Sequence, residues 1–228
     1  TVTRFYNFDI RAENNEKHGD YITGRPIVYN SRTDLGFFEE IIEPGALDNA
    51  NLKDVRLLVN HDTTMIPLAR SRRNNDNSTM QMTVDKEGMG IRANLDTENN
   101  VDSKKLYSAV NRGDISGMSF MFTIKNEEWE GLDTDKPLRR IKAIEQVLEV
   151  SAVTFPAYEA TEISTRDKEA LDNARLALDN ARESRKAAQE AEEQSINERL
   201  AQEYVEMKNG DFPELTELKI VYHTTDDP

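Results

Sequence analysis

The pattern of apolar residues changes near residue 164, and this change limits what the chain can fold into. Before it, short apolar runs alternate with polar residues and are bounded by turn-forming residues, which is typical of β-strands. After it, the motif Ala-Leu-Asp-Asn-Ala-Arg occupies residues 170–175 and recurs at 177–182. This heptad spacing is typical of a helix that buries one stripe. We therefore predict a globular domain at residues 1–164 and a helical segment at residues 165–228.

The apolar runs of the first part predict a mainly β domain with helices, in the α+β class. A helix is predicted at residues 102–111, stopped by Gly113, with a short helix after the turn at residues 43–46 and a mobile loop at 126–137. Short strands with frequent turns favour a closed or nearly closed sheet. Strands are predicted at residues 2–10, 21–29, 37–42, 55–59, 79–84, 89–95, 115–124 and 138–154, with a hairpin turn at 85–88 and the last run as one long strand or a pair.

The helical segment, at about residues 166–207, carries a narrow apolar stripe that is too rich in alanine for a strong coiled coil. Two interpretations stay open: a charged helix that lies on its own domain or in solvent, and a helix for self-association. The tail at residues 215–222 is predicted to add one strand. The stripe consists of Leu171, Ala174, Leu178 and Ala181.

Composition excludes several classes of function. The chain of 228 residues carries a formal net charge of -14, whereas nucleic-acid binding needs clustered Lys and Arg. It has no cysteine, which excludes disulfides, thiolate catalysis and cysteine-based zinc sites. No apolar run reaches the about 18 residues needed to span a membrane, and no secretory signal is expected from the first residues. We therefore expect no nucleic-acid and no membrane partner.

No motif indicates a metal or a cofactor. His61 and Asp62 form an isolated pair without the His-Glu-x-x-His pattern of zinc peptidases. Residues 88–90 (Gly-Met-Gly) lack the continuation of a phosphate-binding loop. We therefore expect neither a metal nor a cofactor.

Three polar residues lie at or within predicted strands and could supply a base, a nucleophile and an acid. Of the three histidines, His61 alone ends an apolar strand, and a position at a sheet rim is common for a base. Ser119 lies on the face of its strand opposite the bulky core residues. Glu149 lies in an apolar strand, where a carboxylate needs a partner such as an imidazolium. Together these are the residues for acyl transfer by an activated serine.

Each of these residues also has a simpler interpretation. Ser119 could be an ordinary strand serine, and His61 could be a surface histidine bonded to Asp62. Glu149 could face solvent or pair with an arginine of its own predicted strand. Spacing alone does not decide between these interpretations, because catalytic triads are recognised by geometry rather than by sequence order.

Five segments, taken in order, carry a family resemblance. They are residues 43–47 (Glu-Pro-Gly-Ala-Leu), 59–62 (Val-Asn-His-Asp), 85–89 (Asp-Lys-Glu-Gly-Met), 113–122 (Gly-Asp-Ile-Ser-Gly-Met-Ser-Phe-Met-Phe) and 148–158 (Leu-Glu-Val-Ser-Ala-Val-Thr-Phe-Pro-Ala-Tyr). In these segments the chain resembles the prohead (capsid maturation) proteases of tailed phages, which are similar in fold and chemistry to the herpesvirus assemblins. The resemblance covers roughly residues 20–164, and five segments in this order make it specific.

The resemblance implies a serine endopeptidase with a seven-stranded, mostly antiparallel, closed barrel of the assemblin type, wrapped by helices. Ser119 is then the nucleophile, and His61 is the general base that later protonates the leaving amine. The third member lies on the strand of Glu149, where assemblins place a second histidine, and Asp62 is an alternative orienting residue. Oxyanion donors are expected among the backbone N–H groups of the turn at residues 154–157.

The resemblance also implies where the protein acts and on what. Members of this family act inside the immature capsid, in the host cytoplasm. They cleave scaffold protein, or the scaffold segment of the major capsid protein, and often themselves. The helix at about residues 166–207 departs from the family pattern and is predicted to be a scaffold-like or targeting segment that supports self-association. Two alternatives stay open: a catalytically inactive structural or scaffolding member of the same fold, and a binding module whose helix is the active part.

Overall fold

The computed structural model describes residues 2–6, 10–154 and 165–208. In these ranges antiparallel and mixed sheets combine with helices, so the predicted α+β class is confirmed. The chain divides into two compact units, Thr1–Ala181 and Arg182–Pro228. The elements are β1 (Val2–Tyr6), β2 (Ile10–Asn15), β3 (Gly19–Val28), β4 (Thr33–Asp34), β5 (Glu39–Ile42), β6 (Arg56–Val59), β7 (Ala69–Arg70), β8 (Met80–Asp85), β9 (Gly88–Asn94), α1 (Val101–Arg112), β10 (Gly117–Glu130), β11 (Leu138–Val153) and α2 (Thr165–Lys208).

The long strand β11 organises the larger sheet, to which seven of the described strands belong. One edge of β11 pairs with β10, antiparallel along nearly its whole length, and β1 adds to the far side of β10. The other edge of β11 pairs first with β5 and then with β6, both parallel. Strands β4 and β7 pair with β5 and β6 in turn. Strand β11 is therefore held from both sides at residues 149–152, where β6 and β10 meet it.

The smaller sheet has the order β2-β3-β9-β8 and is antiparallel throughout. Strands β8 and β9 form the hairpin predicted around residues 85–88. The Asp85 carboxylate accepts the N–H groups of Glu87 and Gly88 at 2.8 and 3.1 Å, a local turn that Asp favours. A Cβ at position 88 would lie 2.0 Å from the Ile27 carbonyl oxygen, so this turn requires glycine.

The strand pairing among the described residues gives two open sheets rather than one closed ring. Strands β1 and β4 end the main path of the larger sheet, and β2 and β8 end the smaller one. One apolar core joins the two sheets, because Ile22, Ile27 and Met89 of the smaller sheet cluster with Phe120 and Val150 of the larger one.

Two predicted strands differ most from the observed bounds. The run predicted as one strand at residues 2–10 contains β1 and the start of β2, which pair in different sheets. Strand β10 continues to Glu130, so the predicted loop at 126–137 is wrong in its first part, and residues 131–137 connect β10 to β11. Cross-strand ion pairs stabilise the extension, such as Arg140 Nε with Glu130 Oε1 at 2.5 Å. Apolar periodicity does not detect a strand that pairs through charges.

Helix α1 lies within one residue of its predicted bounds and is capped at both ends. The Asn100 side chain accepts from the N–H groups of Asp102 and Ser103, which satisfies two donors that a helix start leaves open. Gly113 ends the helix with φ 80°, a left-handed conformation that glycine adopts at low cost. The short helix predicted after residues 43–46 is instead a series of turns.

Helix α2 has the predicted extent, and its first part packs on the globular unit. Leu178, from the predicted apolar stripe, is buried in a small cluster with Phe38, beside Trp129. The helix as far as Ala181 accordingly belongs to the first compact unit. For this part of α2 the packing agrees with a helix that lies on its own domain.

Some predictions concern residues outside the described ranges and stay predictions. The side chains of Leu171 and Ala174 are among them, as is the strand at residues 215–222. The domain boundary between residues 164 and 165 adjoins the undescribed residues 155–164.

Candidate active site

The chain turns sharply at the end of β6, at Asn60 and His61. Both residues have a left-handed backbone, with φ of 50° and 57°, a region that Asn and His enter more readily than most residues. Val59 lies opposite Ala152 of β11, and the Asn60 N–H donates to the Ala152 carbonyl at 3.0 Å. The His61 N–H leaves this pairing and donates to the Ser151 hydroxyl at 3.1 Å. His61 is therefore anchored beside β11 by its own backbone.

Strands β10 and β11 bring Ser119 and Glu149 to the same face of the larger sheet. Ser119 lies opposite Ser151 in the antiparallel register, and Glu149 lies opposite Met121. Because side chains alternate along a strand, Ser119, Ser151 and Glu149 share one face. The other face carries the bulky core residues predicted for it, Met118, Phe120 and Phe122, all fully buried.

The three predicted site residues form a continuous chain of hydrogen bonds. Ser119 Oγ lies 2.6 Å from His61 Nε2, and His61 Nδ1 lies 2.5 Å from Glu149 Oε1. Because a carboxylate can only accept hydrogen bonds, Nδ1 carries the imidazole proton, and Nε2 accepts from the Ser119 hydroxyl. Ser119, His61 and Glu149 are 0%, 8% and 3% exposed. The result is a buried hydroxyl–imidazole–carboxylate arrangement.

Glu149 has a second polar partner and no ion pair with the arginines of its own strand. Its Oε2 accepts from the Ser151 hydroxyl at 2.6 Å. Arg139 pairs with Glu127 of β10 at 3.0 Å, and Arg140 pairs with Glu130 and Glu43. An imidazole and a hydroxyl therefore offset the cost of burying this carboxylate.

Asp62, the alternative orienting residue, closes a local turn. Its Oδ1 accepts from the Thr64 N–H at 3.0 Å and from the Thr64 hydroxyl at 2.6 Å. The Asp62 N–H donates to the Val59 carbonyl at 3.0 Å. The partner that the structure gives to His61 Nδ1 is Glu149.

Asn60 ties the turn to the end of β11. Its Nδ2 donates to Thr154 Oγ1 at 2.9 Å, and its Oδ1 accepts the Thr154 N–H at 2.9 Å. This double contact holds the ends of β6 and β11 together beside His61. It also engages the first N–H of the turn at residues 154–157 that was predicted to supply oxyanion donors. Residues 155–157 lie outside the described ranges, so that prediction stays a prediction.

Sequence reasoning gave no role to Ser151 or Asn60. Ser151 had a signal, since it lies two positions after Glu149 and strand alternation places both on one face. The signal for Asn60 is its position between an apolar strand and His61, because asparagine is common where a chain turns left-handed.

Two other properties of the described residues bear on function. In those ranges, no group of His, Asp and Glu side chains is arranged to hold a metal ion. No helix there has the length and apolar character needed to cross a membrane.

A buried hydroxyl bonded to an imidazole, which is bonded in turn to a carboxylate, is the arrangement of serine hydrolases. The chain belongs to the caudovirus prohead serine protease family, which matches residues 6–175. It is similar to the prohead protease of Enterobacteria phage HK97, with 26% identity over 163 residues, or 70% of this chain and 65% of that protein. The chain thus spans slightly less than two thirds of the length of this relative. No solved structure matches the chain.

Proposed function

We propose that the protein is a serine endopeptidase of procapsid maturation. It cleaves scaffold protein, or the scaffold segment of the major capsid protein, and itself, inside the procapsid in the host cytoplasm. The observation that carries the proposal is the hydrogen-bond chain from Ser119 through His61 to Glu149. Membership of the prohead protease family over residues 6–175 supports the same chemistry.

In the acylation step, Ser119 Oγ attacks the carbonyl carbon of the scissile peptide bond. As the C–O bond forms, the hydroxyl proton passes to His61 Nε2, which lies 2.6 Å away. Glu149 accepts the Nδ1–H hydrogen bond and stabilises the imidazolium. The imidazolium then gives its Nε2 proton to the amide nitrogen, the C–N bond breaks, and the amine leaves an ester on Ser119.

In the deacylation step, a water molecule attacks the ester carbonyl, and His61 Nε2 takes the proton of that water. When the ester bond breaks, the proton returns to Ser119 Oγ and the new carboxyl end is released. Both steps pass through an oxyanion. As its proposed donors we retain backbone N–H groups of the turn at residues 154–157. The Thr154 N–H already bonds to Asn60 and Pro156 has no N–H, which leaves those of Phe155 and Ala157.

Burial of the nucleophile favours a second candidate function. Ser119 has no exposed surface, so a peptide can reach Oγ only after the groups around it move. A catalytically inactive member that acts as a structural or scaffolding protein in capsid assembly needs no such movement. Cleavage of a partner protein therefore separates the two candidates.

Co-expression with the capsid and scaffold proteins of the same virus tests the proposal, with mass spectrometry of the products. The wild-type chain should produce defined fragments of scaffold or capsid protein, and Ser119→Ala should produce none. Fragments from Ser119→Ala at the wild-type level would refute the serine assignment. An absence of fragments from both chains would favour the structural alternative.

Ser103→Ala is the matched control. Ser103 is also fully buried, but it lies on α1 and its Oγ has no hydrogen-bond partner among the described residues. Both variants remove one hydroxyl from a buried site. A loss of cleavage that occurs only with Ser119→Ala therefore reports on the nucleophile and not on packing.

We also propose that the C-terminal segment binds helices of the scaffold or of a second copy of the chain. Ile196, Leu200 and Tyr204 recur at every fourth position of α2 and are exposed, so they form a stripe that another helix can cover. The charged residues at 190–206 of α2 are six glutamates and one arginine, which favours a basic partner. A chain truncated after Ala181 should enter procapsids poorly in a co-expression assay. Unchanged incorporation would contradict the proposal.

For the fold, the proposal retains the assemblin-type, seven-stranded barrel that the family resemblance implies. Its support is the family match over residues 6–175 and the seven described strands of the larger sheet, whose pairing is open among the described residues. An experimental structure in which the strand pairing stays open would refute the closed barrel.

A further inference from the structure

Ser151 connects two residues of the proposed triad without belonging to it. Its side chain is fully buried. Its Oγ donates to Glu149 Oε2 at 2.6 Å and accepts the His61 N–H at 3.1 Å. One hydroxyl can make both contacts because it has one donor and two acceptor positions.

Each of the two partners has a physical need for this hydroxyl. The His61 N–H leaves the β6–β11 pairing through a left-handed turn with φ 57°, and a buried N–H without an acceptor is strongly destabilising. The Glu149 carboxylate is almost fully buried, and its second oxygen needs a donor in such surroundings. The Ser151 hydroxyl satisfies both groups at once.

The position of Ser151 makes this bridge rigid. It lies on the central strand β11, opposite Ser119 of β10 and opposite Leu58 of β6. Strand pairing fixes the three backbones at this level. Strand pairing does not fix the rotation of the Glu149 carboxylate or the position of the His61 backbone just beyond β6. The Ser151 hydroxyl fixes both.

We propose that Ser151 is a positioning residue for the reaction. Its hydroxyl holds the Glu149 carboxylate and the His61 backbone so that the imidazole is aligned between Glu149 and Ser119. Ser151 acts through these residues and makes no bond to the substrate in the mechanism. The inference rests on the proposed function, because alignment matters only if Ser119 is the nucleophile.

The test measures how fast a fluorophosphonate labels Ser119 in the chain of 228 residues and in its Ser151→Ala variant. We expect the rate constant of labelling to fall roughly 10- to 100-fold, the range for losing a hydrogen bond to a charged group. If Ser151 only stabilised the fold, fewer molecules of Ser151→Ala would be folded and labelled, but the folded molecules would react with the wild-type rate constant. Ser103→Ala should react as the wild type does.

A second readout does not depend on activity. The His61 Nδ1 proton is hydrogen-bonded to the buried Glu149 carboxylate and should give a proton NMR signal that is downfield and slow to exchange with water. In Ser151→Ala this signal should move or exchange faster with water, because the carboxylate has lost its second anchor. Ser151→Thr keeps the hydroxyl and should restore part of the signal and of the rate. If the added methyl group prevents folding, the comparison of Ser151→Ala with Ser103→Ala decides.

The outcomes separate this inference from the proposed function. If Ser119→Ala is labelled as the wild type is, the proposed function is wrong, whatever Ser151→Ala does. If Ser119→Ala is inert while Ser151→Ala keeps both the wild-type labelling rate and the wild-type NMR signal, the proposed function stands and the role of Ser151 is overturned.

Discussion

Leu178 gives a direct measure of how firmly the start of α2 is attached to the globular unit. Its side chain is 3% exposed and packs with Phe38, whereas Leu176, two positions earlier, is 58% exposed. We expect Leu178→Ala to lower the free energy of unfolding by about 2–3 kcal/mol, the lower part of the range for a buried leucine. The lower part applies because this cluster is small and separate from the main core. Leu176→Ala should change the same quantity by less than about 0.5 kcal/mol.

Urea unfolding followed by tryptophan fluorescence suits this measurement. Trp129 is the single tryptophan of the chain and packs against the cluster of Leu178, so its emission reports on the affected region. Both variants make the same leucine-to-alanine change in one helix, so the helix propensity changes equally and the difference isolates packing. Equal and small losses in both variants would refute the packing of α2 on the first unit.

Three further predictions concern the site, the hairpin and the helix. Glu149→Gln should slow cleavage roughly 10- to 10⁴-fold while Asp62→Asn has little effect; in a cleavage assay, the reverse pattern would assign the orienting role to Asp62. The hydrogen bond from Arg25 holds the pKa of Asp85 well below its usual range. The ionised carboxylate therefore stabilises the fold at any pH above about 3.9, the pKa of Asp in the unfolded chain. This contribution is lost as the pH falls through the lowered pKa of the folded protein. Asp85→Asn should therefore lower the melting temperature at pH 7, by a difference that shrinks progressively below about pH 4; a difference that does not depend on pH would contradict this origin. Truncation after Ala181 should leave the first unit as stable as in the whole chain, and truncation after residue 164 should destabilise it, as circular dichroism during thermal unfolding would show.

Elements whose signals are local were predicted well from the sequence. The hairpin around residues 85–88 follows from an Asp and a Gly that the turn geometry requires. Helix α1 follows from its apolar spacing and from the stop at Gly113, and α2 follows from its heptad repeat. In each case the residues that determine the structure are close neighbours in the chain.

Elements that depend on a distant partner were predicted less well. The apolar run at residues 2–10 gave no sign that its two ends pair in different sheets. The end of β10 is polar, and it is a strand because β11 offers complementary charges across the pair, as Arg139 does for Glu127. Whether the sheet closes likewise depends on long-range pairing that apolar periodicity does not encode.

The predictions for the candidate site divide in the same way, into local signals that the sequence carries and contacts that depend on distant strands. His61, Ser119 and Glu149 could be selected from the sequence because each is a polar residue in or beside an apolar strand. Their connection could not, because it depends on the register that places Ser119 opposite Ser151 and on the parallel pairing of β6 with β11. The order along the chain is His, Ser, Glu, whereas the hydrogen bonds run from Ser119 to His61 to Glu149.

The left-handed turn at Asn60 and His61 links backbone strain to the position of the imidazole. Two consecutive residues other than glycine in this conformation cost roughly 1–2 kcal/mol each. Hydrogen bonds to β11 and to the residue after it oppose this cost: the Asn60 side chain bonds to Thr154, the Asn60 N–H to the Ala152 carbonyl, and the His61 N–H to Ser151. Since each contributes about 0.5–1.5 kcal/mol net, together they are of the size needed to hold the turn. A substitution that relaxed the turn would break these hydrogen bonds to Ala152, Thr154 and Ser151. The position of the His61 imidazole therefore depends on the end of β11 as much as on Ser119 and Glu149, the two partners of the ring.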